Sequence, residues 1–245
     1  MTHSLTPLQL MELQIPTLFV LDEDQRLRFV REPGYPEAEL DPAPRFFMGR
    51  TPQGNTWRFR HDLPPELIGE LEPLCSAEPI SADLEGEPRL APMIRAVLGA
   101  WAPITKEYRG PAYRLPGEVV TPQDLDVTLV TETNAAALLR AHFPQRITSR
   151  SGFRVGPCGA VLVEGQAVSL CYCARITDRA AEAGVETAPT FRGRGYASGA
   201  VIRWAEAVRH SGRLAFYSTE WGNSASRGVA RRLAGVQYGE DWSLD

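Results

Sequence analysis

The segment Thr190-Phe191-Arg192-Gly193-Arg194-Gly195-Tyr196-Ala197 stands between a run of strand formers and a run with helical periodicity. A turn with two glycines at that place leaves backbone N–H groups unpaired and lets the chain approach a ligand closely. The helix that follows adds the partial positive charge of its first turn, and Arg192 and Arg194 raise the local potential further. These are the requirements of an anion cradle, and a pyrophosphate meets them. Two nucleotide motifs are excluded by the flanks. A kinase-type P-loop needs Lys and Ser/Thr after its last glycine, whereas this helix begins Tyr196-Ala197-Ser198. A dinucleotide fingerprint needs G-x-G-x-x-G, and Gly199 falls one position too late.

An ordered set of features follows the cradle. Ala197, Ala200, Val201, Trp204, Ala205 and Val208 recur on one face of a helix that Gly212 closes. Leu214-Ala215-Phe216-Tyr217-Ser218-Thr219 reads as a strand, and Asn223-Ser224-Ala225-Ser226 opens a second helix, with Asn223 suited to its N-cap. That helix runs through Val229, Ala230 and Leu233, stops at Gly235, and leads to the strand formers Val236-Gln237-Tyr238. With Pro189 three residues ahead of Arg192-x-x-Gly195-x-Ala197, this order resembles the GNAT superfamily of N-acetyltransferases, whose acyl-CoA loop reads [Gln/Arg]-x-x-Gly-x-[Gly/Ala]. The resemblance covers roughly the last half of the chain.

The resemblance implies an acetyl-CoA-dependent enzyme that transfers acetyl directly to an amine in a ternary complex, with acetyl-CoA as cosubstrate. It assigns Arg192, Gly193, Arg194, Gly195, Tyr196 and Ala197 to the pyrophosphate, and Asn223 and Ser226 to the CoA arm. It also implies a bulge near Val185-Glu186-Thr187, so that main chain at Val185 and Thr187 meets the acetyl carbonyl. Glu182 and Glu186 lie on the same strand and are the candidate general bases for a protonated amine, the bulge deciding which of them faces the cleft. Many members carry a Tyr seven residues after the Asn as proton donor to the departing thiolate. Here Ala230 stands in its place. Tyr217, Ser226 and Tyr238 are the available substitutes, and members with an Asn-x-x-Ser helix entry often lack that Tyr. A non-catalytic acyl-CoA-binding protein is the alternative reading.

The elements that must position these residues are legible in part. Ala160-Val161-Leu162-Val163 and Ala167 to Ala174 form a hairpin around Glu164-Gly165, and Ala181 to Thr187 is the strand entering the cradle. Asp126 to Val130 reads as a strand, and Asn134 to Phe143 as a helix closed by Pro144. Upstream, Thr17 to Asp62 reads as β structure: Thr17 to Leu21 with Leu27 to Val30, then Arg45 to Arg50 with Thr56 to Arg60. Helices follow through Leu67 to Leu74 and around Met93 to Leu98. Gly110-Pro111-Ala112-Tyr113-Arg114-Leu115-Pro116-Gly117 is rich in breakers and reads as a domain boundary. The fold class is therefore α+β: a GNAT-like mixed, mostly antiparallel sheet flanked by helices over residues 119–245, with a smaller α+β domain over residues 1–118. Val236 to Asp245 is short for the two long closing strands usual in that family, so the first half is expected to wall the acceptor side.

Composition sets the remaining bounds. At 245 residues and 43% hydrophobic content, the chain can bury one large core or two smaller ones. Arg192-Gly193-Arg194-Gly195 also resembles a nucleic-acid-binding segment, but a formal net charge of −4 runs against a phosphate-backbone binder. A small-molecule or peptide amine is the expected partner, with neither nucleic acid nor membrane, and the expected compartment is cytoplasmic. Cys75, Cys158, Cys171 and Cys173 read as buried thiols, and no metal-ligand spacing emerges from the scattered histidines.

Overall fold

The computed structural model describes residues 5–117 and 125–245. In chain order the first half gives α1 (Pro7–Leu18), β1 (Phe19–Leu21), β2 (Leu27–Val30), β3 (Phe46–Thr51), β4 (Gly54–Phe59), α2 (Pro65–Ala77), α3 (Ala91–Trp101) and β5 (Glu107–Arg114). The second gives β6 (Asp126–Leu129), α4 (Ala135–Leu139), α5 (Pro144–Thr148), β7 (Cys158–Val163), β8 (Gln166–Ile176), β9 (Ala180–Thr187), α6 (Tyr196–His210), β10 (Leu214–Ser218), α7 (Ser224–Arg232) and β11 (Val236–Leu244).

Among the described residues, nine strands form one mixed sheet in the order β4-β3-β11-β5-β10-β9-β8-β7-β6, and β1 pairs with β2 apart from it. Every neighbouring pair in the large sheet is antiparallel except β9 with β10. That parallel pair requires a crossover, which α6 provides. The run from β6 to β10 with α6 and α7 is a GNAT-like arrangement, and β11 closes it at a distance.

The segment read as a boundary is instead a central strand. Gly110 to Arg114 belongs to β5, which lies between β10 and β11 and pairs with both. Its breakers have local reasons. A Cβ on Gly110 would come within 1.7 Å of the Thr219 carbonyl oxygen, so only glycine allows that close approach. Pro111 accepts at its carbonyl from Thr219 N–H at 3.3 Å, which turns the side of its missing N–H toward the end of β10, where pairing has run out. The proposed division between residues 118 and 119 lies outside the described residues. The first half thus supplies a central strand of the sheet, between β10 and β11.

Two further local readings are corrected. Thr17 and Leu18 end a helix rather than begin a strand. Thr6 and Gln9 form a capping box at its start, Pro7 occupies the first position, and Thr17 Oγ1 donates back to the Leu13 carbonyl at 2.8 Å. Burial of Leu10, Met11, Leu13 and Ile15 against Phe47, Phe216 and Tyr238 outweighs the strand preference at its end. The helix expected over Asn134 to Phe143 covers only Ala135–Leu139, and Pro144 opens a separate short helix.

On the opposite face, α6 lies across the sheet through Ala200, Val201, Trp204, Ala205 and Val208. Gly159 permits this approach, since a Cβ there would meet the Ala200 carbonyl oxygen at 2.4 Å. Val201, Trp204 and Val208 are fully buried, and such side chains are worth about 1.5–3 kcal/mol each. That burial fixes the N-terminus of α6, and with it the glycine turn.

Candidate active site

The parallel pairing of β9 with β10 covers only Ala180, Ala181 and Glu182 against Leu214, Ala215 and Phe216, after which the two strands diverge. Beyond that point β9 keeps its register with β8, from Ala183 opposite Cys173 to Thr187 opposite Ser169. The Ala188 N–H donates to the Val168 carbonyl at 2.9 Å. Antiparallel alternation therefore aims the N–H groups of Val185 and Thr187 away from β8, into the opening. The expected bulge is not at Val185-Glu186-Thr187. The irregularity falls between Cys173 and Arg175 on β8, opposite Ala183 and Glu182. The free donors arise from strand divergence instead.

Two clefts meet at the divergence. The first, about 830 Å³, is bounded by Val185 to Ala188, the glycine turn, Tyr217, Asn223 and Ser226. The second, about 650 Å³, lies toward the first half of the chain and includes Phe19, Phe47, Tyr108, Arg175, Glu182 and Asp241. Ser218 borders both.

At the first cleft Gly193 and Gly195 take φ of +77° and +83°, the left-handed region that side chains with a Cβ adopt at a cost. An added Cβ at either would meet no atom within 4 Å, so the backbone there faces open space. Among the described residues, the N–H groups of Gly193, Arg194, Gly195, Tyr196 and Ala197 have no acceptor; the first inward bond is Ser198 N–H to the Gly195 carbonyl at 3.1 Å. Arg192 Nε donates to the Thr187 carbonyl at 3.1 Å and ties the turn to the end of β9. Asn223 caps α7 by accepting from Ser226 N–H at 3.0 Å, and Ser226 Oγ bonds the Tyr217 hydroxyl at 2.6 Å. The cradle, Val185, Thr187, Asn223 and Ser226 are thus brought together.

The two glutamates are separated. Glu186 borders the first cleft, where Arg146 pairs with it and the Tyr172 hydroxyl donates to it at 3.2 Å. Glu182 borders the second, 4% exposed, with Oε1 accepting from Ser218 N–H at 2.6 Å and Ser218 Oγ at 2.9 Å. Burial pushes its carboxyl up from 4.5 to about 7, against the opposing effect of the Ser218 hydrogen bonds.

Asp241 shares that floor at 2% exposure. Its Oδ2 accepts from Gln14 Nε2 at 3.0 Å, while Gln14 Oε1 accepts from the Tyr238 hydroxyl at 2.6 Å. Burial, then the nearby Glu182, holds the Asp241 carboxyl well above the usual range. Its neighbour Glu240 is fully buried and accepts from Arg50, Arg109 and Trp221 at 2.5 to 2.9 Å, which locks β11 to β3 and β5 beside it. Asp241, Gln14, Tyr108 and Arg175 carry no motif. The one signal for Asp241 in the sequence is a carboxylate inside a short terminal strand with Tyr238 and Trp242.

The four cysteines are buried free thiols, and no cluster of metal-ligating side chains occurs among the described residues. No described helix is long and apolar enough to cross a membrane.

No family model matches the sequence, and no curated protein matches it. Solved structures do resemble it. A GCN5-related N-acetyltransferase-like protein from Streptococcus suis is 14% identical, with 83% of this chain and 85% of that one covered and a TM-score of 0.48. A GNAT-family protein from Novosphingobium aromaticivorans is 18% identical over 58% of this chain, with a TM-score of 0.44. The chain spans 65% of that protein's length, just under two thirds. An acetyltransferase of the GNAT family from Colwellia psychrerythraea is 13% identical, covering 77% and 76%, with a TM-score of 0.43. The GNAT-like assignment of the fold rests on the strand order, the β9–β10 divergence and the α6 crossover.

Proposed function

We propose that the protein is an N-acetyltransferase that binds acetyl-CoA in the first cleft and an amine in the second. The observation that carries this reading is the pair of clefts meeting at Ser218, one bordered by unpaired main-chain donors and the other by a buried carboxylate. The residues fit the cosubstrate: a diphosphate needs convergent N–H groups without side-chain obstruction, and the turn from Gly193 to Ala197 offers them. Acetyl-CoA supplies an activated thioester there. Arg192, the main-chain N–H of Arg194 and the start of α6 hold the anionic end, and Asn223 and Ser226 line the arm.

Each chemical task then has a residue. The outward N–H groups of Val185 and Thr187 stabilise negative charge on the acetyl oxygen, an effect worth about 2.7–4 kcal/mol per donor in comparable sites. Glu182 takes the proton of the amine, since a carboxyl raised to about 7 is partly ionised at neutral pH and still basic. The new bond forms between the amine nitrogen and the acetyl carbon while the carbon–sulfur bond breaks, with no acyl-enzyme. Ala230 is fully buried and offers no proton. Of the three substitutes, Tyr238 is committed to Gln14, whereas Tyr217 borders the first cleft beside Ser226. Burial pushes the Tyr217 hydroxyl up to about 12, so it is protonated at neutral pH and can donate to the leaving thiolate.

Isothermal titration with acetyl-CoA and a free-thiol assay against a panel of amines test this reading. Binding that Gly195→Val weakens far more than Glu186→Gln, together with amine-dependent thiol release, is the expected result. Absence of CoA binding refutes it. Binding without thiol release for any amine leaves the non-catalytic alternative.

A further inference from the structure

The second cleft carries information about what it accepts. Glu182 and Asp241 lie on its floor, and each leaves one carboxyl oxygen, Oε2 and Oδ1, buried with no hydrogen-bond partner. Buried carboxyl oxygens without donors are costly, and a ligand presenting several N–H donors satisfies both at once. A protonated primary amine has that form. No cationic side chain of the described residues pairs with either group: Arg50 and Arg109 go to Glu240, and Arg60 goes to Asp62 and Asp245.

Two cations without an ion pair among the described residues line the same space, the exposed Lys106 and the half-buried Arg175, and only Arg175 stands beside Glu182 in the sheet. Arg175 is the cross-strand partner of Glu182, so their side chains leave the sheet on the same face. Among the described residues it forms no ion pair, and its one side-chain hydrogen bond goes to the adjacent Ala174 carbonyl at 2.7 Å. The rest of its fork is uncommitted at the wall of the cleft. Directly paired residues on adjacent strands lie about 5 Å apart at Cα, so the acidic floor and this guanidinium address groups close together on one molecule. Asp41 and Asp245 at the rim oppose a polyanion, and Phe19, Phe47 and Val30 give the remaining wall an apolar character.

We infer that the acceptor is a free amino acid with an apolar side chain, its ammonium group held by Glu182 and Asp241 and its carboxylate by Arg175. This inference rests on the acetyltransferase reading above. A guanidinium–carboxylate pair is geometrically selective, so an amine lacking the carboxylate leaves Arg175 unsatisfied and binds less well. In turnover one ammonium proton passes to Glu182, the nitrogen bonds to the acetyl carbon as the carbon–sulfur bond breaks, and the second nitrogen proton replaces the one that the departing thiolate takes from Tyr217, leaving the N-acetyl amino acid and the free thiol of CoA.

The test measures acetyl-CoA-dependent thiol release with leucine and isoamylamine, and with phenylalanine and phenethylamine. Each pair differs only by the carboxylate. The expected result is a higher kcat/KM for the amino acid of at least one pair. Arg175→Met should lower that preference about tenfold or more, mainly through KM for the amino acid. Arg179→Met, which removes an equal charge from an exposed turn outside the cleft, should leave the preference unchanged. Matching melting temperatures establish that both variants are folded. Preference for the amines, or a preference that Arg175→Met does not alter, overturns the inference. So does failure of both pairs while acetyl-CoA binds by calorimetry, in which case the cosubstrate reading survives. Loss of CoA binding itself would instead defeat the reading beneath it.

Discussion

Replacing Glu182 by Gln separates stability from chemistry at one buried carboxyl. The folded protein holds the Glu182 proton up to about pH 7, against 4.5 for the ordinary group. Between those values the native state binds more protons than the unfolded chain, so stability is highest below about pH 4.5 and falls as pH rises through 7. At 1.36 kcal/mol per pKa unit, the raised value costs the native state on the order of 3 kcal/mol at alkaline pH. Gln keeps an acceptor for Ser218 N–H and Oγ, carries no charge, and removes that cost. Denaturant unfolding at about pH 4 and about pH 8 should therefore show the variant close to wild type at the lower pH and about 3 kcal/mol more stable at the higher. Activity should move the other way: turnover falls about 10²- to 10⁴-fold, and the rise of kcat/KM with pH toward 7 disappears. A stability difference that is the same at both pH values, or a wild-type acid limb that persists in the variant, would refute the account of this group.

Other outcomes follow from the geometry. Gly195→Val places a β-branched residue at φ +83°, a conformation costing about 1–3 kcal/mol for such side chains, and should weaken CoA binding by tenfold or more in titration calorimetry. Glu186→Gln should change it little. Gly110→Ala should abolish or severely lower the thermal transition, because its Cβ meets Thr219 backbone that cannot rotate away, whereas Gly99→Ala, with nothing within 4 Å, should not. Glu240→Gln leaves Arg50 and Arg109 without a balancing charge and should destabilise the fold by about 3–5 kcal/mol in urea unfolding. Asn223→Ala removes the cap of α7 and should cost about 1 kcal/mol by the same measurement.

The glycine turn, α6, α7 and the strands from β6 to β10 were readable because their signals are local: paired glycines, a 3.6-residue apolar stripe, an Asn cap, and a Glu-Gly turn. What escaped was set by distance along the chain. Glycine and proline in β5 look like a linker until Thr219, more than a hundred residues on, explains the glycine and the end of β10 tolerates the proline. Asp241 reads as an ordinary strand carboxylate until Gln14 and Glu182 are brought beside it. The assignment of Glu182 and Glu186 to different clefts follows from where β10 parts from β9, which no residue of β9 encodes by itself.

The placement of β5 also constrains how the molecule comes into being. A ribosome releases this strand well before either of its neighbours exists, since β10 and β11 arrive in the last 32 residues of the chain. Its main-chain groups and apolar side chains must wait, exposed, until β10 and β11, which begin at Leu214 and Val236, have been made. Pairings of such long sequence separation form slowly, and the strand spends that interval available to foreign edges. The proline and glycine that disguise it in the sequence also make it a poor template for such encounters, so one pair of residues serves both the finished sheet and the nascent chain.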